Sequence, residues 1–311
     1  MWKYICKRIA VLIPMLFLVS FIVYLLMDLA PGDPVRTLAG ESMTDEQLEE
    51  LRESLGYNDP LLVRYGRYIK GVLQGDFGKS LYGDKDVLDE YLFRLPYTLK
   101  LSFLSIIMTI IIAIPLGMIA AIKHNTWVDT AASSTAIFGL SMPPFWLGMM
   151  LVLLFAVKLG WLPTGGAEKG FLSYLLPAFT LAVANAAQSA RTTRSAMLDQ
   201  IRADYLRTAR SKGVSEKKVV FGHAFRNALI PIITIVGSQL TTLFSSATVV
   251  ENVFTWPGIG NLTLNAIRGH DITMATGCAI LTTILTSMVL LFVDVMYAYI
   301  DPRIKARYTG K

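Results

Sequence analysis

Charge is what this chain has least of. Asp, Glu, Lys and Arg make up 17% of its 311 residues, against 53% hydrophobic residues and a mean hydropathy of +0.49. A soluble chain of this length is normally about a quarter charged, so one or two ordinary soluble domains are a poor fit. Cysteine is nearly missing as well. Cys6, near the chain start, and Cys278, inside an apolar run, offer no disulfide framework and no metal-ligand spacing, so no metal site is expected. A phosphate-binding loop is also lacking. Gly75-Asp-Phe-Gly-Lys-Ser80 ends like one, but that motif needs a glycine five positions before Gly78, where Leu73 stands. No catalytic constellation emerges, and nothing in this chain provides for ATP.

What the chain does have is apolar length. Six runs stand out, at 9–30, 101–122, 130–157, 171–190, 228–250 and 272–293. The last five contain no Asp, Glu, Lys or Arg, and the first contains only Asp28. A helix needs about 20 such residues to span a bilayer, whereas buried helices of soluble domains are shorter. The fold class read from this pattern is an all-α polytopic membrane protein with six transmembrane helices. The first run follows Lys3, Lys7 and Arg8 as a signal peptide would. It is too long for one, however, and Ala30-Pro-Gly-Asp33 follows it in place of a small-residue cleavage site, so it reads as a retained span. Pro143-Pro144 inside the third run should kink or break that helix.

Six spans put both termini on one side. If that side is the cytosol, the cytosolic segments hold seventeen of the 29 Lys and Arg, while the short outer loops hold only Lys158, Lys169 and Arg268. That asymmetry obeys the positive-inside rule and predicts cytosolic termini. The chain then divides into 1–30 (cytosolic start and first span), 31–96 (extracytoplasmic), 97–300 (five-helix core with a cytosolic loop at 191–227) and 301–311 (cytosolic tail). The 31–96 segment reads as a small helical subdomain. Thr44-Asp-Glu-Gln47 is a capping box, Leu48, Leu51 and Leu55 line one face, and Gly56 ends that helix. Asp59-Pro60 starts a second helix in which Leu61, Leu62, Tyr65, Tyr68, Ile69 and Val72 recur at helical intervals until Gly75.

The loop at 191–227 carries nine Lys or Arg against three acids, Asp199, Asp204 and Glu216. The residues from Asp204 to Lys212 include no Pro or Gly and predict two helical turns. Gly213 permits the left-handed conformation that ends a helix, and Ser215 with Glu216 predicts a second helix through about Arg226. Two readings fit this composition: a basic loop touching anionic headgroups, or a helix–glycine–helix lever joined directly to a span.

The residue order resembles a known family. Tyr205-Leu-Arg-Thr-Ala-Arg-Ser-Lys-Gly213, followed by His223-Ala-Phe-Arg-Asn-Ala-Leu-Ile-Pro231, is similar to the cytosolic loop of permease subunits of binding-protein-dependent ABC importers. The general consensus there is Glu-Ala-Ala-x-x-x-Gly. Arg207 replaces the Glu, Thr208 the first Ala, and Ala209 and Gly213 match. This is the form of the dipeptide/oligopeptide branch. Ala30-Pro-Gly-Asp-Pro34, Arg64-Tyr65, Gly75-Asp-Phe-Gly78, Arg94-Leu-Pro-Tyr-Thr98, Ser141-Met-Pro-Pro-Phe-Trp146, Leu159-Gly-Trp-Leu-Pro163, Val250-Glu-Asn-Val-Phe-Thr-Trp-Pro-Gly258 and Asp301-Pro-Arg303 continue the likeness along nearly the whole chain.

The resemblance implies a type I ABC importer permease fold in a bacterial or archaeal plasma membrane. It implies a non-catalytic subunit that forms half of a pore for peptides. Its partners would be a homologous second permease, two cytosolic ATPase subunits holding ATP and Mg, and an extracytoplasmic solute-binding protein. Tyr205, Arg207, Thr208, Ala209, Arg210, Lys212 and Gly213 would seat in a groove of one ATPase. Nickel chelates, glutathione or oligosaccharides are alternative cargoes, and an ion-coupled secondary carrier is the remote alternative class. Ser238, Thr241, Thr242 and Ser245 share one helix face, with Asn185, Gln188 and Gln239 near it. Either they line a translocation path or they pack helix on helix. Glu251, Phe254 and Trp256 fall in a segment similar to the family's outer gate and docking region, and the two aromatics read equally as interfacial anchors.

Overall fold

The computed structural model describes the backbone of residues 2–39 and 43–300. The tail with Asp301-Pro-Arg303 and the side chains of Cys6 and Ser245 lie outside the described residues. Along the chain the helices are α1 (Trp2–Leu29), α2 (Pro34–Ala39), α3 (Asp45–Ser54), α4 (Leu61–Leu73), α5 (Val87–Ile122), α6 (Trp127–Ser141), α7 (Pro144–Leu151), α8 (Phe171–Ile201), α9 (Asp204–Ser211), the single turn α10 (Glu216–Lys218), α11 (Phe225–Val253), α12 (Ile259–Arg268) and α13 (Ile272–Ile300). Wider π-helical turns follow α7 at Val152–Lys158 and α10 at Val219–Ala224. Among the described residues there is no sheet, only one antiparallel bridge between Lys79 and Asp86.

Five helices are long and apolar enough to cross a membrane, and α6 with α7 makes a sixth candidate bent by 101°. Sequence chemistry explains the bend. A residue before proline is driven out of the helical region, and here Met142 precedes Pro143, which itself precedes Pro144. Met142 takes ψ 123° and Pro143 ψ 132°, both extended, and Pro144 restarts a helix at its first position. The second apolar run begins well inside α5, which starts at Val87, so the helix continues through Arg94 and Pro96. There Arg94 Nε lies 2.8 Å from Glu90 Oε1, one turn back.

The chain forms two compact units. The first comprises residues 1–98 and 257–288. Its core gathers Tyr24, Met27, Val87, Tyr91, Ile259, Leu262, Ile272, Met274 and Cys278. The capping box closes as the sequence predicts: Gln47 N donates to Thr44 Oγ1 at 3.4 Å and Thr44 N to Gln47 Oε1 at 3.1 Å. Gly56 then takes φ 70°. Helix α4 packs on α1 through Tyr65, whose ring meets Phe21 edge-on at 5.1 Å. The Tyr65 hydroxyl shares a 2.8 Å hydrogen bond with Ser20 Oγ and donates to Phe17 O at 3.1 Å. Arg64 Nη2 donates to Asp28 Oδ1 at 2.6 Å, which explains how the first run tolerates its one acid. At the start of α13, Asp271 is buried and accepts from Met274 N at 3.0 Å and Ser80 Oγ at 2.5 Å, capping the helix and holding the loop before α5.

The second unit comprises residues 99–256 and 289–311. Its most extensive pairing is α8 with α11. Ala178, Ala182, Ala186 and Ala190 recur every fourth residue of α8 and are all buried, the small-residue seam that lets membrane helices approach closely. A Cβ on Gly117 would come within 2.5 Å of Ala190 O, so α5 meets α8 at a position only glycine fits.

Candidate functional site

The basic segment 191–227 is structured throughout. Its first part, to Ile201, simply continues α8. After Arg202 and Ala203 the chain turns into α9, whose Leu206 is fully buried. Leu206 packs with Met118, Ala121, Ala196, Met197, Val219 and Val220, so α9 sits on the ends of α5 and α8 and on the π-helical root of α11. Burial of such a leucine is worth about 1.5–3 kcal/mol, enough to seat two helical turns that would not persist alone.

Gly213 takes φ 77°. Gly213 N donates to Arg210 O at 2.9 Å and Val214 N to Ala209 O at 3.2 Å, which ends α9. A Cβ at Gly213 would meet nothing within 4 Å, so the corner is open. Beyond it, the expected second helix is not a separate element. Glu216 begins a turn that widens into the π-helical stretch and runs without a break into α11. The Ser215 side chain makes no capping hydrogen bond, although its carbonyl accepts from Val219 N at 2.9 Å. Residues 216–224 thus form the stem of the fifth span.

The side chains of the corner divide in two. Tyr205 is exposed but bonded on both sides: its hydroxyl donates to Gln200 Oε1 at 2.8 Å and accepts from Asn227 Nδ2 at 2.9 Å, tying α8, α9 and α11 together. Arg210 Nε and Nη2 donate to Glu216 Oε2 and Oε1 at 3.0 and 2.8 Å across the glycine. Those hydrogen bonds raise the Arg210 pKa and keep the guanidinium charged. Thr208 Oγ1 turns back to Asp204 O at 3.3 Å, and Ala209 is half-buried. Arg207 and Lys212 are exposed and, among the described residues, make no ion pair. They present unneutralised positive charge on the outer face of the corner.

The expected path residues separate similarly. Gln239 is buried, and its amide is consumed between helices: Nε2 donates to Asn185 O at 3.0 Å and Oε1 accepts from Ser189 Oγ at 3.2 Å. Gln239 is therefore a packing residue of the α8–α11 pair. Asn185 is half-buried and donates to Leu181 O in its own helix at 3.1 Å. Ser238, Thr241 and Thr242 also bond carbonyls of their own helix, at 2.8, 2.7 and 3.1 Å, with Ser238 and Thr242 exposed. Gln188 is exposed.

Glu251, Phe254 and Trp256 correct the expectation of an outer docking or anchoring surface. All three are buried within this subunit, at 0–1% exposure. Gly148 abuts the Phe254 ring, Gly166 N donates to Phe254 O at 2.8 Å, and Tyr174 meets Trp256 edge-on at 4.5 Å. The glycines that make room for Phe254 lie some 90 to 105 positions earlier, so no local pattern announces this core.

Sequence reasoning missed a charged cluster at the turn before α6. Asp129, nearly buried, accepts from Arg194 Nε at 2.6 Å and Nη2 at 2.8 Å and lies 3.2 Å from His124 Nδ1. The available signal was that Asp129 is the sole acid between Glu90 and Glu168. A lone acid at the mouth of an apolar helix needs a partner.

Apolar helices long enough to span a membrane, one candidate span bent, and a basic helix–glycine corner fit a transport permease, and the comparisons with known proteins agree. The profile described as "Binding-protein-dependent transport system inner membrane component" matches residues 113–306, and that of its N-terminal region matches residues 1–102. The chain belongs to this family: it is a multi-pass inner-membrane permease subunit of an ABC importer, and ATP hydrolysis falls to a separate subunit. It is 41% identical over 305 residues to the glutathione transport system permease protein GsiC of Escherichia coli (strain K12), covering 98% of this chain and 99% of that one. The same identity and coverage hold for the protein of that name from Shigella dysenteriae. Among solved structures, the inward-facing MetNI methionine ABC transporter aligns with a TM-score of 0.59 at 18% identity, over 68% of this chain and 96% of that chain. An amino acid ABC transporter with histidines aligns with a TM-score of 0.55 at 15% identity, over 68% and 94%. These two support the fold.

Proposed function

We propose that this chain forms half of the pore of an ATP-driven importer for short peptides. A binding protein delivers the cargo on the outer side, and a homologous second permease completes the path. Two cytosolic ATPase subunits, which hold the ATP and Mg, grip the corner at Gly213. The observation that carries this reading is the division of α9 into a seated face and an open one. Leu206 and Tyr205 fix it to three helices, while Arg207 and Lys212 stand free to meet an acidic groove. A loop made only for lipid headgroups needs charge but no such seating. The excess of Lys and Arg on this side of the spans supports a cytosolic location for both termini and the corner. Gln188, Ser238 and Thr242, exposed polar residues of α8 and α11, are candidates for contact with cargo.

Glutathione is a second, narrower reading, favoured by relatives of nearly equal length named for its transport. Reconstituting the subunits in proteoliposomes with labelled dipeptide, longer peptide and glutathione tests both. Uptake that needs ATP and the binding protein is expected. Uptake driven by an ion gradient without ATP would overturn the proposal in favour of a secondary carrier.

A further inference from the structure

We propose that the His124–Asp129–Arg194 cluster, extended to Arg202, is a tie that passes movement of α9 to the bent span α6–α7. The tie rests on the coupling role assigned to α9 above. Asp129 lies in the first turn of α6 and is held by both Arg194 nitrogens, by Asn125 N at 3.0 Å and by Ser133 Oγ at 3.4 Å. To aim its N–H there, Asn125 adopts φ 60°, a conformation few residues other than glycine take. A bidentate guanidinium–carboxylate bond is directional as well as strong, so α6 and α8 are fastened in one register.

The cluster does not stop at that pair. His124 lies between two guanidinium groups: Nδ1 is 3.2 Å from Asp129 Oδ2 and 3.1 Å from Arg194 Nη2, while Nε2 is 3.3 Å from Arg202 Nη2. A neutral imidazole has one donor nitrogen and one acceptor. In the tautomer whose Nδ1–H donates to Asp129, Nε2 accepts from Arg202, and Arg194 Nη2 donates to Asp129 Oδ2 rather than to the ring. Arg202 is exposed and stands two residues before the start of α9. Asp129 and Arg194 fasten α6 to the body of α8. The extension through His124 reaches Arg202, the residue that ends α8 and leads through Ala203 into α9. At its other end, α6 leads into the 101° bend at Met142-Pro143. The tie therefore joins the corner that meets the ATPase to the bent span α6–α7, alongside the covalent route through α11. Coupling of this kind is carried by contiguous polar networks linking rigid elements.

The test uses the complete importer in proteoliposomes and reads cargo imported per ATP hydrolysed, with ATPase co-purification and melting temperature beside it. His124→Phe and Arg202→Ala alter the exposed end and leave the Asp129–Arg194 pair in place. Both are expected to lower import per ATP by about threefold or more, with co-purification and melting temperature unchanged. Arg202→Lys, which still donates to Nε2, should recover part of the loss. Unchanged import per ATP in both variants overturns the tie, as does a loss that follows melting temperature or ATPase release. Absence of ATP-driven uptake by the unaltered chain overturns the proposed function, and the tie with it.

Discussion

Tyr205 and Asn227, 22 residues apart, share a 2.9 Å hydrogen bond that locks α9 to the root of α11, and the same hydroxyl reaches Gln200 on α8. The bond sits at an exposed position, so its net contribution to stability is small, about 0.5 kcal/mol. Its value is geometric, because it fixes the angle at which α9 is presented. Tyr205→Phe is expected to leave folding and insertion intact while reducing cargo-stimulated ATP hydrolysis by the complex. Unaltered stimulation would show that Leu206 alone sets the angle.

Gly213 supplies the sharpest test of the corner. Its φ of 77° lies where an L-residue pays roughly 1–2 kcal/mol, and where proline, fixed near −65°, cannot go. Gly213→Ala meets no steric obstacle and should retain partial transport. Gly213→Pro should abolish both transport and ATPase co-purification without affecting membrane insertion. The two variants are separated by pull-down of the ATPase from solubilised membranes.

The two free cations and the paired one should behave differently. Arg207→Glu and Lys212→Glu reverse charge that has no ion-pair partner among the described residues, so each should weaken ATPase association, and the double variant more so. Arg210→Ala removes a guanidinium already neutralised by Glu216 and should have the smaller effect. Co-purification across a salt series reads this directly, since exposed charge contacts weaken with ionic strength.

The sequence made the spans legible because bilayer length and absence of charge act on each run separately. The Pro143-Pro144 break and the glycine at 213 were legible for the same reason: each is a local backbone constraint. What stayed hidden depends on partners far along the chain. The start of α5 at Val87 is masked by charges, such as Arg94 and Glu90, that pair within the helix. The burial of Phe254 and Trp256 rests on Gly148, Gly165 and Tyr174. Helix α12 follows Pro257-Gly258, a pair that reads as a turn, and the π-helical stem at 219–224 has no signature in residue order. The polar residues of α8 and α11 resemble a path in sequence, but only their exposure distinguishes Gln188 from Gln239.

That distinction makes the last prediction. Gln239→Leu removes an amide that serves Ser189 and the Asn185 carbonyl inside the α8–α11 seam. Leaving those groups unsatisfied costs about 1–3 kcal/mol, so the variant should melt earlier and reach the membrane in smaller amount. Uptake per folded molecule should stay near normal. Gln188→Leu changes an exposed amide with no such role and should leave melting unchanged. If Gln188 lines the path, its loss shifts the KM or kcat of uptake, and the shift should depend on which peptide is offered. Identical kinetics for every peptide tested would remove Gln188 from the path and leave Ser238 and Thr242 as its polar wall.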